Sequence, residues 1–129
     1  MQIEHVAVWT RDLERLKAYY QTYFQARPGE HYLNQHNRFE SCFLEFASGA
    51  RLELMTMPTI PDSANDIERQ FTGIIHLAFA TGSEENVEGL TRRLERDGYR
   101  VVDGPRRTGD GYYESVVFDP DGNRIEITV

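Results

Sequence analysis

The sequence predicts an α+β fold of two βαβββ modules, two curved sheets that form a half-barrel pair. Two observations carry this reading. Short alternating or apolar segments and two amphipathic segments follow one another as β-α-β-β-β, a connecting stretch, then β-α-β-β-β again. The order also repeats at the level of residues. IEHVAVWT (3–10) aligns with IIHLAFAT (74–81) at Ile3/Ile74, His5/His76, Ala7/Ala78 and Thr10/Thr81. GARLELM (49–55) aligns with GNRIEIT (122–128) at Gly49/Gly122, Arg51/Arg124 and Glu53/Glu126. The offsets, 71 and 73, keep the halves in register to within two residues, and an internal repeat of this kind organises everything else.

Each element has its own local signal. IEHVAVWT alternates and is rich in β-branched and aromatic residues, so it reads as a strand. Asp12 reads as a helix cap, with Leu13, Leu16, Tyr20, Tyr23 and Phe24 at helical spacing behind it, and RPGE (27–30) reads as the end of that segment. Strands follow near Glu30–Asn34 and Phe39–Ala47, then an ASGA turn and the strand RLELMTM (51–57). Pro58–Thr72, with two prolines and several small polar residues, reads as a linker between modules at about 1–57 and 73–129 of one domain. IIHLAFAT opens the second module. Val87, Leu90 and Leu94 recur at helical spacing over Glu84–Arg96, and Gly98 stops that helix. YRVVDGP (99–105), YYESVVFD (112–119) and RIEITV (124–129) complete the set, and DPDGN (119–123) is a turn with Pro at its second position and Gly at its fourth.

Composition narrows the partners. The chain has 129 residues, 14 Lys+Arg against 21 Asp+Glu, and a formal charge of −7. Without a basic stripe, neither nucleic acid nor an anionic membrane surface is expected as a partner. No apolar run approaches the roughly 20 residues of a membrane span, and the N-terminus carries no secretory pattern. The single cysteine, Cys42, sits mid-strand where it packs, and one cysteine cannot form an intrachain disulfide. These features point to a cytoplasmic protein.

Strand alternation then sorts the faces. Val6 and Val8 oppose His5, Ala7 and Trp9; Leu77 and Phe79 oppose His76, Ala78 and Ala80. Leu52/Leu54 and Ile125/Ile127 oppose Glu53 and Glu126. Each module thus offers one His and one Glu from the side opposite its apolar, helix-covered face. Two carboxylates converging in one cavity repel and are costly to bury. A divalent cation removes both penalties, and two imidazoles with two carboxylates make four ligands at about 2.0–2.2 Å. His5, Glu53, His76 and Glu126 are therefore the candidate metal ligands. A lone strand His is usually structural and a lone strand Glu usually solvated; the coincidence of position in both repeats favours the site. His31 and His36 fall outside the repeat and read as surface residues.

The paired modules, EHVAVWTRDLERLKAYY at the first opening, IIHLAFAT at the second and the terminal DPDGNRIEI resemble the vicinal oxygen chelate superfamily. That family includes glyoxalase I, fosfomycin-modifying enzymes, extradiol dioxygenases, methylmalonyl-CoA epimerase and bleomycin-binding proteins. The resemblance covers the whole chain and implies the glyoxalase fold. Glyoxalase I is similar in its ligand set, which matches His5, Glu53, His76 and Glu126, whereas dioxygenases and fosfomycin enzymes generally lack the carboxylate at Glu53. The resemblance implies one divalent ion per site (nickel, cobalt or zinc, with iron or manganese as further candidates). It implies a lyase or isomerase acting in methylglyoxal detoxification on the thiol hemithioacetal of a 2-oxoaldehyde. The ion would act as a Lewis acid on an enediolate, with Glu126 as catalytic base and Glu53 as the other candidate.

Two departures bear on the thiol. Trp9 and Met57 stand where glyoxalase I enzymes commonly carry an arginine and an asparagine for glutathione, so the thiol cosubstrate is open. Trp9, Met57, the repeat arginines Arg51 and Arg124, and Tyr113 of the stretch PRRTGDGYYES (105–115) are the candidate substrate-binding residues. That stretch is either a lid over the cavity or a hairpin. The open edges of four-stranded sheets and the habit of single-domain relatives imply a homodimer, with sites built within one chain or shared between two. The alternatives are another metal enzyme of the superfamily (a thiol transferase acting on an antibiotic, or a dioxygenase) and a resistance protein that sequesters a small molecule.

Overall fold

The computed structural model describes all 129 residues. In chain order the elements are β1 (His5–Trp9), α1 (Leu13–Phe24), β2 (Arg27–Asn34), β3 (Phe39–Glu45), β4 (Arg51–Thr56), β5 (His76–Ala80), α2 (Glu84–Arg96), β6 (Val101–Arg107), β7 (Tyr113–Phe118) and β8 (Arg124–Thr128). The result is two four-stranded mixed sheets, ordered β1-β4-β3-β2 and β5-β8-β7-β6, neither closed on itself. The chain divides into compact units at Met1–Ala64 and Asn65–Val129. No helix is long and apolar enough to cross a membrane.

In the first unit α1 begins where the Asp12 side chain accepts from the Arg15 amide at 2.9 Å, satisfying one of the free N–H groups at a helix start. It ends at Gln25, whose left-handed φ of 56° lets its amide bond back to Tyr20. Leu13, Leu16, Tyr19 and Tyr20 are buried along one stripe of α1, over Leu44, Leu52 and Leu54 of the sheet. That packing leaves the opposite face of the sheet free of helix. RPGE, expected to be a break, instead opens β2. The pairing of β2 with β3 shifts register between Pro28 and His31, and such an irregularity admits a proline that the ladder otherwise rejects.

The second unit is built the same way. Ser83 caps α2, accepting from the Asn86 amide at 3.2 Å. Glu84 and Glu85 lie in its first turn and Arg93 and Arg96 in its last, matching the helix dipole at both ends. Val87, Thr91 and Leu94 bury against Val117, Ile125 and Ile127. The Thr91 hydroxyl lies 2.6 Å from that of Ser115, joining helix to sheet by a buried hydrogen bond.

Part of the repeat serves the fold. Gly49 and Gly122 both take left-handed φ, 84° and 82°, at the turns entering β4 and β8, a region a side chain disfavours. Thr10 and Thr81 each donate a backbone N–H across the sheet, to Met55 and to Thr128, both at 2.8 Å. Asp119 anchors the DPDGN turn by accepting from the Asp121 and Asn123 amides, each at 2.9 Å.

Candidate functional site

Parallel pairing sets His5 beside Arg51, Ala7 beside Glu53 and Trp9 beside Met55. The second unit repeats this register with His76 beside Arg124, Ala78 beside Glu126 and Ala80 beside Thr128. Side chains paired across a ladder share a face, so each unit carries its His and Glu together on the helix-free side. His5 Nε2 lies 3.9 Å from Glu53 Oε2, and His76 Nε2 lies 3.5 Å from Glu126 Oε2. The two glutamates are 16% and 17% exposed, and the two histidines 41% and 42%. Each unit therefore holds a recessed carboxylate with an accessible imidazole above it.

The donors fit a divalent ion. Ligands at about 2.1 Å lie roughly 3.0–3.5 Å apart when they subtend right or tetrahedral angles. The His76–Glu126 pair already has that spacing, and the His5–Glu53 pair needs a closure of less than about 1 Å. One imidazole and one carboxylate suit nickel, cobalt, zinc, iron or manganese. In neither unit do three such side chains gather, so two donors are what each unit supplies.

In the first unit a further carboxylate orients the ring. Glu4 hydrogen-bonds His5 Nδ1 and also pairs with Arg51, and these two partners, His5 first, hold its carboxyl below the ordinary range. An ionised carboxylate only accepts, so Nδ1 is the donor of that contact; in the neutral ring this leaves the Nε2 lone pair on the Glu53 side, the outer-shell arrangement that favours metal ligation. No sequence signal marks this role, because alternation puts Glu4 on the far face and β1 begins only at His5.

A family model for the Glyoxalase/Bleomycin resistance protein/Dioxygenase superfamily matches residues 2–127. The chain belongs to this superfamily. Among solved structures, a glyoxylase/bleomycin resistance protein/dioxygenase domain from Frankia sp. EAN1pec is 17% identical with a TM-score of 0.81, covering 100% of this chain and 97% of that one. The trypanothione-dependent glyoxalase I of Leishmania major is 18% identical at TM-score 0.79, covering 99% and 86%. A glyoxalase I mutant from Zea mays is 22% identical at TM-score 0.80, covering 98% of this chain and 44% of that one. At these identities the likeness is one of fold. An uncharacterised Bacillus subtilis protein, YqjT, is 38% identical over 58 residues, 43% of this chain and 45% of its own length.

On this superfamily scaffold the five candidate substrate-binding residues separate. Trp9 lies on the His5 face, 42% exposed, with its ring edge-on to Phe39 at 5.9 Å. Phe43 meets His5 edge-on at 5.4 Å, and Tyr32 lies 6.2 Å from Phe39, so this face is lined with aromatic rings. Arg51 and Arg124 share the ligand faces but are engaged. Arg51 stacks on Phe43 at 4.1 Å and pairs with Glu4; Arg124 lies over Phe118 and donates to the Ile67 carbonyl at 3.0 Å.

Met57 and Tyr113 are corrections. Met57 lies past the end of β4 and lines a cleft of about 400 Å³ with Arg11–Glu14, Glu40 and Thr56. Glu40 and Thr56 pair on the helix-facing side, away from Glu53. Tyr113 alternates with Glu114, Val116 pairs with Glu126, and so Tyr113 falls on the opposite face from Glu126. Its hydroxyl donates to Glu88 of α2 at 2.9 Å. The stretch 105–115 is a hairpin between β6 and β7, closed by Thr108 and Tyr112. Cys42 is buried, and burial raises its thiol pKa. His31 pairs with Glu40 at 2.8 Å on the surface.

Proposed function

We propose that this protein is a divalent-metal-dependent lyase or isomerase of glyoxalase I type, acting on the hemithioacetal of a 2-oxoaldehyde and a thiol. The observation that carries the reading is the duplicated His–Glu pair, at one register in both units and on the helix-free face each time. Structural histidines have no reason to recur with a recessed carboxylate at 3.9 and 3.5 Å in both halves. His5, Glu53, His76 and Glu126 would hold one ion, and the pairs come from one chain or from the two chains of a homodimer. When bound, the ion supplies Lewis-acid stabilisation to vicinal substrate oxygens.

The chain's own part is proton transfer and positioning. Glu126 takes the C–H proton from one substrate carbon and returns it to the neighbour, and Glu53 is the second carboxylate able to do so. Glu4 fixes the His5 tautomer. Trp9 and its aromatic neighbours cover the apolar part of the substrate and exclude water from its surroundings. The same aromatic lining favours a second reading, sequestration of a flat aromatic molecule without turnover. Metal analysis of the purified protein, followed by methylglyoxal assays with a panel of thiols, separates the two. Bound metal with turnover of at least one adduct supports the lyase. A protein indifferent to divalent ions that binds aromatic ligands supports sequestration.

A further inference from the structure

The open face of the second unit carries a carboxylate that the reaction does not use. Glu114 pairs with Thr128 across β7 and β8, one step from the Val116–Glu126 pair, so it is the diagonal neighbour of Glu126 on the same face, at a separation of roughly 7–8 Å. Its side chain makes neither a hydrogen bond nor an ion pair. Arg106 is its cross-strand partner on β6, yet the guanidinium turns away to Asp103, donating from Nε at 2.7 Å and lying 2.5 Å away through Nη2. Glu114 is half-buried, and burial first, then the charge of Glu126, push its carboxyl above the ordinary range, with Arg106 and His76 offsetting only part of the rise through their charge and without a hydrogen bond. An ordinary surface glutamate is solvated and shows no such penalty. The fold has no need of a carboxylate here either, since the equivalent position of the first unit, paired with Met55, is Ser41.

We propose that Glu114 is a specificity-determining residue that receives a protonated amine of the substrate, so that the preferred thiol in the hemithioacetal carries a cationic amine a few bonds from sulfur. The proposal rests on the lyase reading above. A cation supplies what Glu114 lacks: a charge-assisted donor at a half-dry carboxylate whose nearest guanidinium is already taken. On that face a thiol whose sulfur sits by the Glu126 end would carry a nitrogen two carbons further along toward Glu114. An anionic thiol at the same place would meet Glu114 and Glu126 together and be repelled.

The test compares methylglyoxal adducts of three thiols on the metal-loaded protein: 2-(dimethylamino)ethanethiol, its uncharged isostere 3-methylbutane-1-thiol, and 3-mercaptopropionate. In wild type the ratio of kcat/KM for the amine over the isostere should exceed that in Glu114→Gln at least tenfold, with the isostere itself turned over within threefold by both. Glu114→Lys should move the preference to 3-mercaptopropionate. An amine-to-isostere ratio that survives Glu114→Gln overturns the proposal. If no adduct is turned over, the lyase reading falls. Glu114 is then judged by calorimetry with the S-methyl ethers of the amine and the isostere, where tighter amine binding lost in Glu114→Gln upholds its role and equal binding in both proteins ends it.

Discussion

Replacing Glu126 with Gln tests the metal site by a route that needs no substrate. An ion that binds only the folded chain stabilises it by RT ln(1 + [M]/Kd), about 2.7 kcal/mol at a hundredfold excess over Kd. For 129 residues unfolding together the entropy of unfolding is roughly 270 cal/mol/K, so that stabilisation raises Tm by about 10 °C. The Glu126→Gln change keeps the shape of the carboxylate and removes its charge. Glu126 is only 17% exposed and sits 3.5 Å from His76 Nε2, so its loss should weaken binding at least as much as removal of an outer-shell partner, up to about 100-fold. At the same metal concentration the ion is then near its new Kd, the stabilisation falls to about 0.4 kcal/mol, and the shift shrinks to about 1.5 °C. Differential scanning fluorimetry with and without nickel, cobalt or zinc reads this directly. The control is Glu40→Gln, because His31 and Glu40 form a tighter His–Glu contact, 2.8 Å, on the surface. Equal metal-induced shifts in wild type and Glu126→Gln, or a shift lost in Glu40→Gln instead, would refute the assignment.

Three further outcomes are expected. If the protein is a homodimer whose sites each take His5 and Glu53 from one chain and His76 and Glu126 from the other, mixing inactive His5→Ala and His76→Ala proteins restores about a quarter of the wild-type sites; no recovery assigns both pairs to one chain, and a sedimentation mass near 15.0 kDa removes the dimer. Tyr113→Phe should leave turnover unchanged. It should lower the urea midpoint at pH 7 but not at pH 3, since Tyr113 first and Arg92 second hold the Glu88 carboxyl below its ordinary range. A depressed carboxyl stabilises above its unfolded pKa, about 4.3 for Glu, and loses that contribution as pH falls through the folded value. Gly104→Ala should cost about 2–4 kcal/mol in urea unfolding, because a Cβ there meets the Glu114 carbonyl oxygen at 2.5 Å and the Ser115 Cα at 2.9 Å at a φ of 79°. Gly49→Ala has the same backbone penalty with open space around it, about 1–2 kcal/mol; equal costs would show that the close approach of β6 to β7 carries no energy.

What the sequence could show was whatever depends on period and repetition. Strand alternation put His5 with Glu53 and His76 with Glu126, because both pairs lie in regular ladders where parity holds. The two helices followed from the apolar stripes, with Asp12 marking the start of the first and Gly98 the end of the second, while the Ser83 cap of α2 emerges only from the structure. Parity fails where strands stop or shift. Met57 continues the odd-numbered series of β4, but the strand ends at Thr56 and the chain turns, with Met57 accepting from the Ile60 amide at 3.1 Å. RPGE carries Pro and Gly, so it reads as a break, yet a register shift absorbs both residues within β2. Tyr113 reads with its loop, although its alternation with Glu114 already assigns it to the helix side.

On the function proposed above, the repeat also separates residues that serve the fold from those that would serve a ligand. Gly49/Gly122 and Thr10/Thr81 recur because two similar turns and two similar strand exits impose the same backbone needs. His5/His76 and Glu53/Glu126 recur with no such need, since no turn, cap or core contact requires an imidazole above a recessed carboxylate. The next rank of each sheet breaks the repeat. In the first unit Trp9, Met55, Ser41 and Tyr32 share that rank; in the second, Ala80, Thr128, Glu114 and Arg106 do. A duplicated module under structural constraint alone has no reason to keep two steps of its parallel strand pair matched, His5/Arg51 and Ala7/Glu53 with His76/Arg124 and Ala78/Glu126, and make the next step aromatic in one half and charged in the other. Matched ranks suit an ion, which takes equivalent donors from both halves, and unmatched ranks suit an organic substrate, whose two ends differ. On that division a Trp9→Ala change should weaken binding of the apolar end while leaving metal affinity unchanged, and Glu126→Gln should do the reverse.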